Sequence, residues 1–154
     1  KAMKQVAGRL RLDLAQFHGD ETLTQVSALG TRGFKAIRLS AEEAPSELKK
    51  ALLREALLFT QHRKGQSPEL LVDAVVKGAY GGTGILADWS AAAELAKQVP
   101  ILLAGGLTAE NVRAAVNRVL PWGVDTASGV EASPGEKDIK KMKAFIRAAR
   151  LEAV

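Results

Sequence analysis

The chain has 154 residues, 22 Lys and Arg against 17 Asp and Glu for a net charge of +5, and no cysteine. That length suits one domain with its own core, and 47% apolar with 25% charged residues is ordinary for a soluble globular protein. The lack of cysteine excludes a disulfide framework, a thiolate metal site and a Cys nucleophile within these residues. No stretch approaches the roughly 18 consecutive apolar residues of a membrane span, and Lys1 to Leu12 lacks the apolar run of a secretion signal. A cytoplasmic location without a membrane partner is therefore expected. The basic excess is concentrated at the two ends, with +4 in residues 1–12 and +4 in residues 136–150, leaving −3 elsewhere. Nucleic-acid binders set aromatic stacking residues among their basic side chains, and aromatics are only 5% here, so no nucleic-acid partner is expected.

In chain order, Lys1 to Leu12 reads as the tail of a helix. The first apolar run, Asp13 to Phe17, leads through Gly19 into a helix that Asp20 is placed to cap, ending near Leu29. The second run, Phe34 to Leu39, precedes a helix from about Ser46 with apolar Leu48, Ala51, Leu52 and Leu58. The third, Glu69 to Asp73, opens a loop from Ala74 to Ala87 and then a helix from about Asp88. The fourth, Ile101 to Ala104, ends in Gly105-Gly106; its helix has Thr108 as cap and Val112, Ala115, Val116 and Val119 as stripe. The last, Gly123 to Ala127, is followed by Ser128-Gly129 and a C-terminal helix with Ile139, Met142, Phe145, Ile146 and Ala149 on one face.

Strands alternating with helices imply a parallel sheet with helices outside it. Five βα units fall short of a closed (β/α)8 barrel, which usually needs about 200 residues or more. An open doubly wound sheet could be built from five strands, but its Gly-x-Gly-x-x-Gly turn after the first strand is absent. The Gly-rich turns follow the last two strands instead, where barrels commonly bind phosphate.

Glycines directly after a strand let backbone N–H groups approach a phosphate, because no Cβ stands in the way. Gly105-Gly106 and Ser128-Gly129 could each be a plain tight turn; two on consecutive strands favour a phosphate site. No Walker-type Gly-Lys-Ser/Thr follows, which argues against a nucleoside triphosphate. Asp73 ends an apolar run, where a barrel carboxylate faces the active-site mouth and can exchange a proton, or else simply caps a turn. Asp125 has the same placement and the same two readings. Gly78 to Gly84, glycine-rich, reads as a mobile loop or a substrate cover. His18 ends the first run and is a pocket candidate, whereas His62 sits in a polar stretch and reads as surface. Two histidines without a His-Glu-x-x-His pattern make no metal site.

Taken together, these segments resemble one family. Gln16-Phe17-His18-Gly19-Asp20-Glu21, Leu71-Val72-Asp73, Gly78 to Gly84 with Asp88-Trp89-Ser90, Leu103 to Thr108 with Asn111-Val112, and Gly123 to Glu131 with Ser133-Pro134-Gly135 are similar, in order, to phosphoribosylanthranilate isomerase. The resemblance spans nearly the whole chain from Leu12 onward. It implies a (β/α)8-type barrel and the Amadori rearrangement of N-(5′-phosphoribosyl)anthranilate in tryptophan biosynthesis, with no metal or organic cofactor and a small phosphorylated substrate as partner. It implies Asp73 as general acid, and Gly105, Gly106, Ser128 and Gly129 as the phosphate cradle. It further implies Asp125 beside the anthranilate amino group, and His18, Gly82 and Gly84 as substrate-binding residues.

Two departures matter. Ile85-Leu86-Ala87 stands where the family loop is commonly polar. The family's opening strand, whose Cys is the general base, and the Arg of its second βα connection have no counterpart here. Residues 1–154 are therefore expected to form one incomplete barrel carrying units four to eight, with negligible turnover alone. Self-association or a complementing N-terminal segment is the expected partner chemistry. The alternative is a non-catalytic phosphate-ligand-binding or assembly module on a partial barrel.

Overall fold

The computed structural model describes residues 2–39, 46–74 and 89–150. Five short strands, β1 (Ala15–Phe17), β2 (Gly33–Arg38), β3 (Leu70–Asp73), β4 (Ile101–Ala104) and β5 (Gly123–Val124), form one parallel sheet in sequential order. This is the α/β architecture that the alternating runs imply, with β1 two residues, β3 one and β5 three residues shorter than the apolar runs. Helices α1 (Ala2–Arg9), α2 (Leu23–Ser27), α3 (Ser46–Leu58), α4 (Ser90–Ala96), α5 (Val112–Val119) and α6 (Ile139–Ala149) fill the connections. No helix among the described residues is long and apolar enough to cross a membrane.

The central strands read as continuous apolar runs because both of their faces are covered. On the helix side, Leu70, Val72, Ile101 and Leu103 pack with Ala91, Ala92 and Leu95 of α4 and with Val112, Ala115 and Val119 of α5. Each fully buried Leu, Ile or Val contributes about 1.5–3 kcal/mol. On the opposite face Phe34, Ala36, Leu71 and Ala104 form a smaller cluster. Trp89, just before α4, is 3% exposed, whereas Trp122, whose amide donates to Ile101 at 3.0 Å, is 58% exposed. At the amino-terminal end of the strands Arg63 is buried. Its Nε donates to the Pro68 carbonyl at 2.9 Å, and its guanidinium lies 5.7 Å from the Phe34 ring centroid. His62, expected at the surface, turns Nε2 to the Gly33 carbonyl at 2.9 Å and leaves Nδ1 buried.

Several local expectations need correction. The cap of α2 is Thr22, not Asp20: the Thr22 hydroxyl accepts from the Gln25 amide at 3.3 Å and the Gln25 side chain accepts from the Thr22 amide at 2.8 Å. A Thr with Gln three residues on satisfies two orphan amides reciprocally, which one Asp cannot do. Thr108 does not cap α5 directly; its hydroxyl accepts from the Glu110 amide, Asn111 returns its side-chain oxygen to the Thr108 amide, and the helix proper starts at Val112. In α3 the side that packs on the core carries Leu53, Ala56 and Leu57, while Ala51, Leu52 and Leu58 are exposed; the Leu48 side chain lies outside the described residues. Of the apolar face of α6 only Phe145 is buried, with Ala149 partly so, and Ile139, Met142 and Ile146 are exposed. A hairpin of β6 (Glu131–Ser133) and β7 (Glu136–Lys137) precedes α6, turning at Pro134-Gly135 with Gly135 at φ +83°. The expected loop from Ala74 and the helix start at Asp88 fall mostly outside the described residues.

Candidate active site

Parallel strands deliver their carboxyl ends to one rim of the sheet, and the register decides which side chains meet there. Arg38 of β2 is opposite Asp73 of β3, and Asp73 is opposite Ala104 of β4. The Asp125 amide donates to Leu103 at 2.8 Å, one rung beyond the Leu103–Val124 pair, which brings Asp125 level with Ala104 and Asp73. His18 follows β1 by one residue.

Asp73 is the centre of this rim. Its side chain is 15% exposed. Oδ2 faces His18 Nε2 at 3.6 Å and Arg38 Nε at 3.9 Å, within ion-pair reach but beyond a hydrogen bond. Oδ1 is buried and has no hydrogen-bond partner among the described residues. A buried carboxylate oxygen held this way costs free energy, and such orphans concentrate where a ligand completes the bonding. The room that Oδ1 occupies exists because residue 105 is glycine: a Cβ there would stand 2.6 Å from Oδ1 and 2.8 Å from the Ala74 amide nitrogen, and Gly105 has φ +99°.

The two glycine turns lie against each other. A Cβ on Gly129 would stand 1.9 Å from the Leu107 carbonyl oxygen, and the Thr126 hydroxyl donates to that same oxygen at 2.7 Å. Gly105 and Gly106 both have positive φ, and Ser128 to Val130 form a single 3-10 turn. Nearby, the Lys137 ammonium donates to the Ala127 carbonyl at 2.8 Å and to Glu131 at 2.7 Å, which fixes the end of that turn. The Thr108 hydroxyl and the backbone amide of Glu110 hold the Glu110 carboxyl below its ordinary value, outweighing the opposing effect of burial.

The structure thus brings Asp73, His18 and Gly105 together, and places Gly106, Ser128 and Gly129 in two adjoining turns on the same rim as exposed Asp125. Gly82 and Gly84 lie outside the described residues. Three site residues have no role assigned from the motifs. Arg38 is one, and its signal is a charge one residue before the end of an apolar run, in register with Asp73. The others are Lys35 and Glu21: Lys35 stands inside an apolar run, yet its side chain is buried and paired with Glu21 at 3.0 Å. Among the described residues no cluster of His, Asp and Glu could hold a metal ion.

The model of the N-(5'phosphoribosyl)anthranilate (PRA) isomerase family matches residues 1–148. An N-(5'-phosphoribosyl)anthranilate isomerase of Roseiflexus castenholzii is 45% identical over 154 aligned residues, covering 98% of this chain and 66% of its own length. The solved phosphoribosyl anthranilate isomerase of Thermotoga maritima is 32% identical with a TM-score of 0.71, covering 97% of this chain and 67% of the solved one. Another solved isomerase is in complex with reduced 1-(o-carboxyphenylamino)-1-deoxyribulose 5-phosphate. It is 28% identical with a TM-score of 0.66, over 95% of this chain and 63% of the solved one. The chain spans about two thirds of the length of these relatives.

Proposed function

The chain belongs to the N-(5'-phosphoribosyl)anthranilate isomerase family, and we propose that its rim residues supply the acid and the phosphate cradle for that family's isomerisation. The observation that carries this reading is the Asp73 carboxylate, with one oxygen beside His18 and Arg38 and the other buried beside Gly105 without a hydrogen-bond partner among the described residues. A protonated Asp73 gives its proton to the furanose ring oxygen of N-(5′-phosphoribosyl)anthranilate. The C1–O bond breaks and the anthranilate nitrogen takes up the positive charge as an iminium. A base then removes the proton from C2, and the C2–H electron pair neutralises the nitrogen, giving an enol that tautomerises to the aminoketone. Family resemblance gives the base role to a cysteine, and these residues contain none. Turnover by residues 1–154 alone is therefore expected to be lower by about 10²–10⁴-fold than with the base in place.

Gly105, Gly106, Ser128 and Gly129 take the 5′-phosphate through backbone amides that no Cβ obstructs. Asp125 takes the anthranilate amino group, and His18, Gly82 and Gly84 contact the substrate. Residues 1–154 form one partial barrel. Among the described residues its two edge strands, β1 and β5, each pair on one side only, and a complementing segment or a second copy pairs with them. The protein acts in the cytoplasm, in tryptophan biosynthesis.

The test is calorimetric titration of the chain with reduced 1-(o-carboxyphenylamino)-1-deoxyribulose 5-phosphate, together with turnover after a fragment carrying the part of a relative that residues 1–154 do not cover is added. The expected result is saturable binding that Asp73→Asn weakens little, with complemented turnover that Asp73→Asn lowers by about 10²–10⁴-fold. No binding by the unaltered chain, or undiminished turnover in the Asp73→Asn protein, overturns the reading.

A further inference from the structure

We propose that Lys35 is a positioning residue which, with Glu21, sets where His18 stands relative to Asp73; the inference rests on the reading of Asp73 as the acid. The problem it solves is visible in β1. That strand has three residues, lies at the sheet edge, and pairs with β2 through Ala15, Gln16 and Phe17 only. His18 is the first residue beyond the last rung, and Gly19 and Asp20 after it are exposed. The backbone ladder alone leaves His18 free to swing.

A side chain from the next strand closes that freedom. Lys35 is opposite Phe17 in the register and is buried. Its ammonium donates to the carbonyl of Phe17 at 3.4 Å, to the carbonyl of Gly19, and to Glu21 Oε2 at 3.0 Å. One lysine thereby holds the carbonyls on both sides of His18 and spends all three of its protons in doing so. Glu21 completes the loop by accepting from the Gly19 amide at 2.9 Å. The result is a ring of contacts around a single residue, and that residue reaches Asp73 Oδ2 at 3.6 Å.

The choice of lysine is informative. Burying an ammonium is costly, and an apolar side chain of similar size at such a position is often neutral or stabilising. Glu21, with its side chain 29% exposed, would remain hydrated if the lysine were lost. Core packing therefore gives little reason for a cation here. Holding two carbonyls that flank a rim histidine gives a specific one.

The test compares the side-chain ¹H–¹⁵N correlations of His18 in the unaltered chain and in Asp73→Asn, Lys35→Met and Glu21→Gln. Asp73→Asn defines the signature of a His18 that has lost its carboxylate. Lys35→Met is expected to shift the His18 resonances most of the way to that signature, while the amide resonances of β3 to β5 change little. Glu21→Gln is expected to shift them less, because the lysine keeps both carbonyls. A folded Lys35→Met protein whose His18 resonances match the unaltered chain overturns the proposal, and so does an Asp73→Asn spectrum unchanged at His18. Where Lys35→Met does not fold, Glu21→Gln decides, and unshifted His18 resonances in it overturn the proposal. Failure of the isomerase reading shows separately, as absent calorimetric binding of the reduced product analogue with these His18 shifts intact.

Discussion

Asp73 owes its orientation to a missing side chain. Gly105→Ala puts a methyl group 2.6 Å from Oδ1 and 2.8 Å from the Ala74 nitrogen, at a residue with φ +99°. Gly106 also has positive φ, at +60°, but a Cβ there meets nothing within 4 Å. The two substitutions therefore separate backbone strain from collision. Gly106→Ala is expected to cost about 1–2 kcal/mol, the left-handed penalty for an L-residue, with analogue binding retained if phosphate amides keep their places. Gly105→Ala is expected to cost more and to weaken analogue binding, since the collision with Asp73 and the Ala74 backbone displaces the turn that carries the phosphate amides; urea unfolding and calorimetry on both variants check this. Equal costs for the two would show that the Asp73 contact carries no weight. At this scale Asp73 is legible from sequence because a carboxylate ending an apolar run stands out. Arg38 has a weaker signal, a charge just inside the end of its run, and its importance depends on the register between β2 and β3, which no local pattern encodes.

Between elements, the contact of Lys35 with Glu21 ties the connection after β1 to β2 across 14 residues of chain. Burial pushes the Glu21 carboxyl up, but hydrogen bonds from Lys35 and from the backbone amides of Glu21 and Gly19 outweigh it and hold the group below its ordinary value of 4.5. A carboxyl lowered on folding adds stability that is fully present above the unfolded value and is lost as pH falls through the lower folded value. The difference in melting temperature between the unaltered chain and Glu21→Gln is therefore expected to be largest near neutral pH and to shrink as pH falls below the ordinary value of 4.5. A difference independent of pH would exclude a charged clamp. Strand positions are the most legible elements, because Leu70-Leu71-Val72 and Ile101-Leu102-Leu103 are buried on both faces and need no partner to be recognised. Helix faces are less so: α3 offers apolar residues on more than one side, and only its neighbours decide that Leu53, Ala56 and Leu57 go inward. The β6–β7 hairpin is announced only by Pro134-Gly135, a turn signal flanked by charged residues rather than an alternating apolar pattern.

For the molecule as a whole, the sheet has two edges and an apolar fringe. β1 and β5 are its outer strands, and Leu12, Leu14, Leu120, Trp122, Ile139, Met142 and Ile146 are all exposed. Unpaired strand edges with apolar neighbours template further pairing. Sedimentation velocity is expected to show mass rising with concentration, and a complementing fragment that covers both edges is expected to suppress that rise. A monomer at every concentration, with or without the fragment, would show that neither edge is used. This part of the architecture was legible as a count of βα units, whereas the exposure of the α6 face was not, because amphipathic spacing says which residues share a side and not what covers it.

Trp89 and Trp122 make these two processes observable without any label. They are the only tryptophans in the chain, one sealed beside the core and the other in water next to β5. Emission from Trp122, 58% exposed, is expected to be open to quenching by iodide and to lie at long wavelength, and that from Trp89, 3% exposed, to be shielded and further to the blue. Association at the β5 edge withdraws Trp122 from the quencher and leaves Trp89 as it was. Unfolding does the reverse and exposes Trp89. One titration with a collisional quencher therefore separates loss of structure from gain of partner, two events that a change in total fluorescence or in circular dichroism would merge.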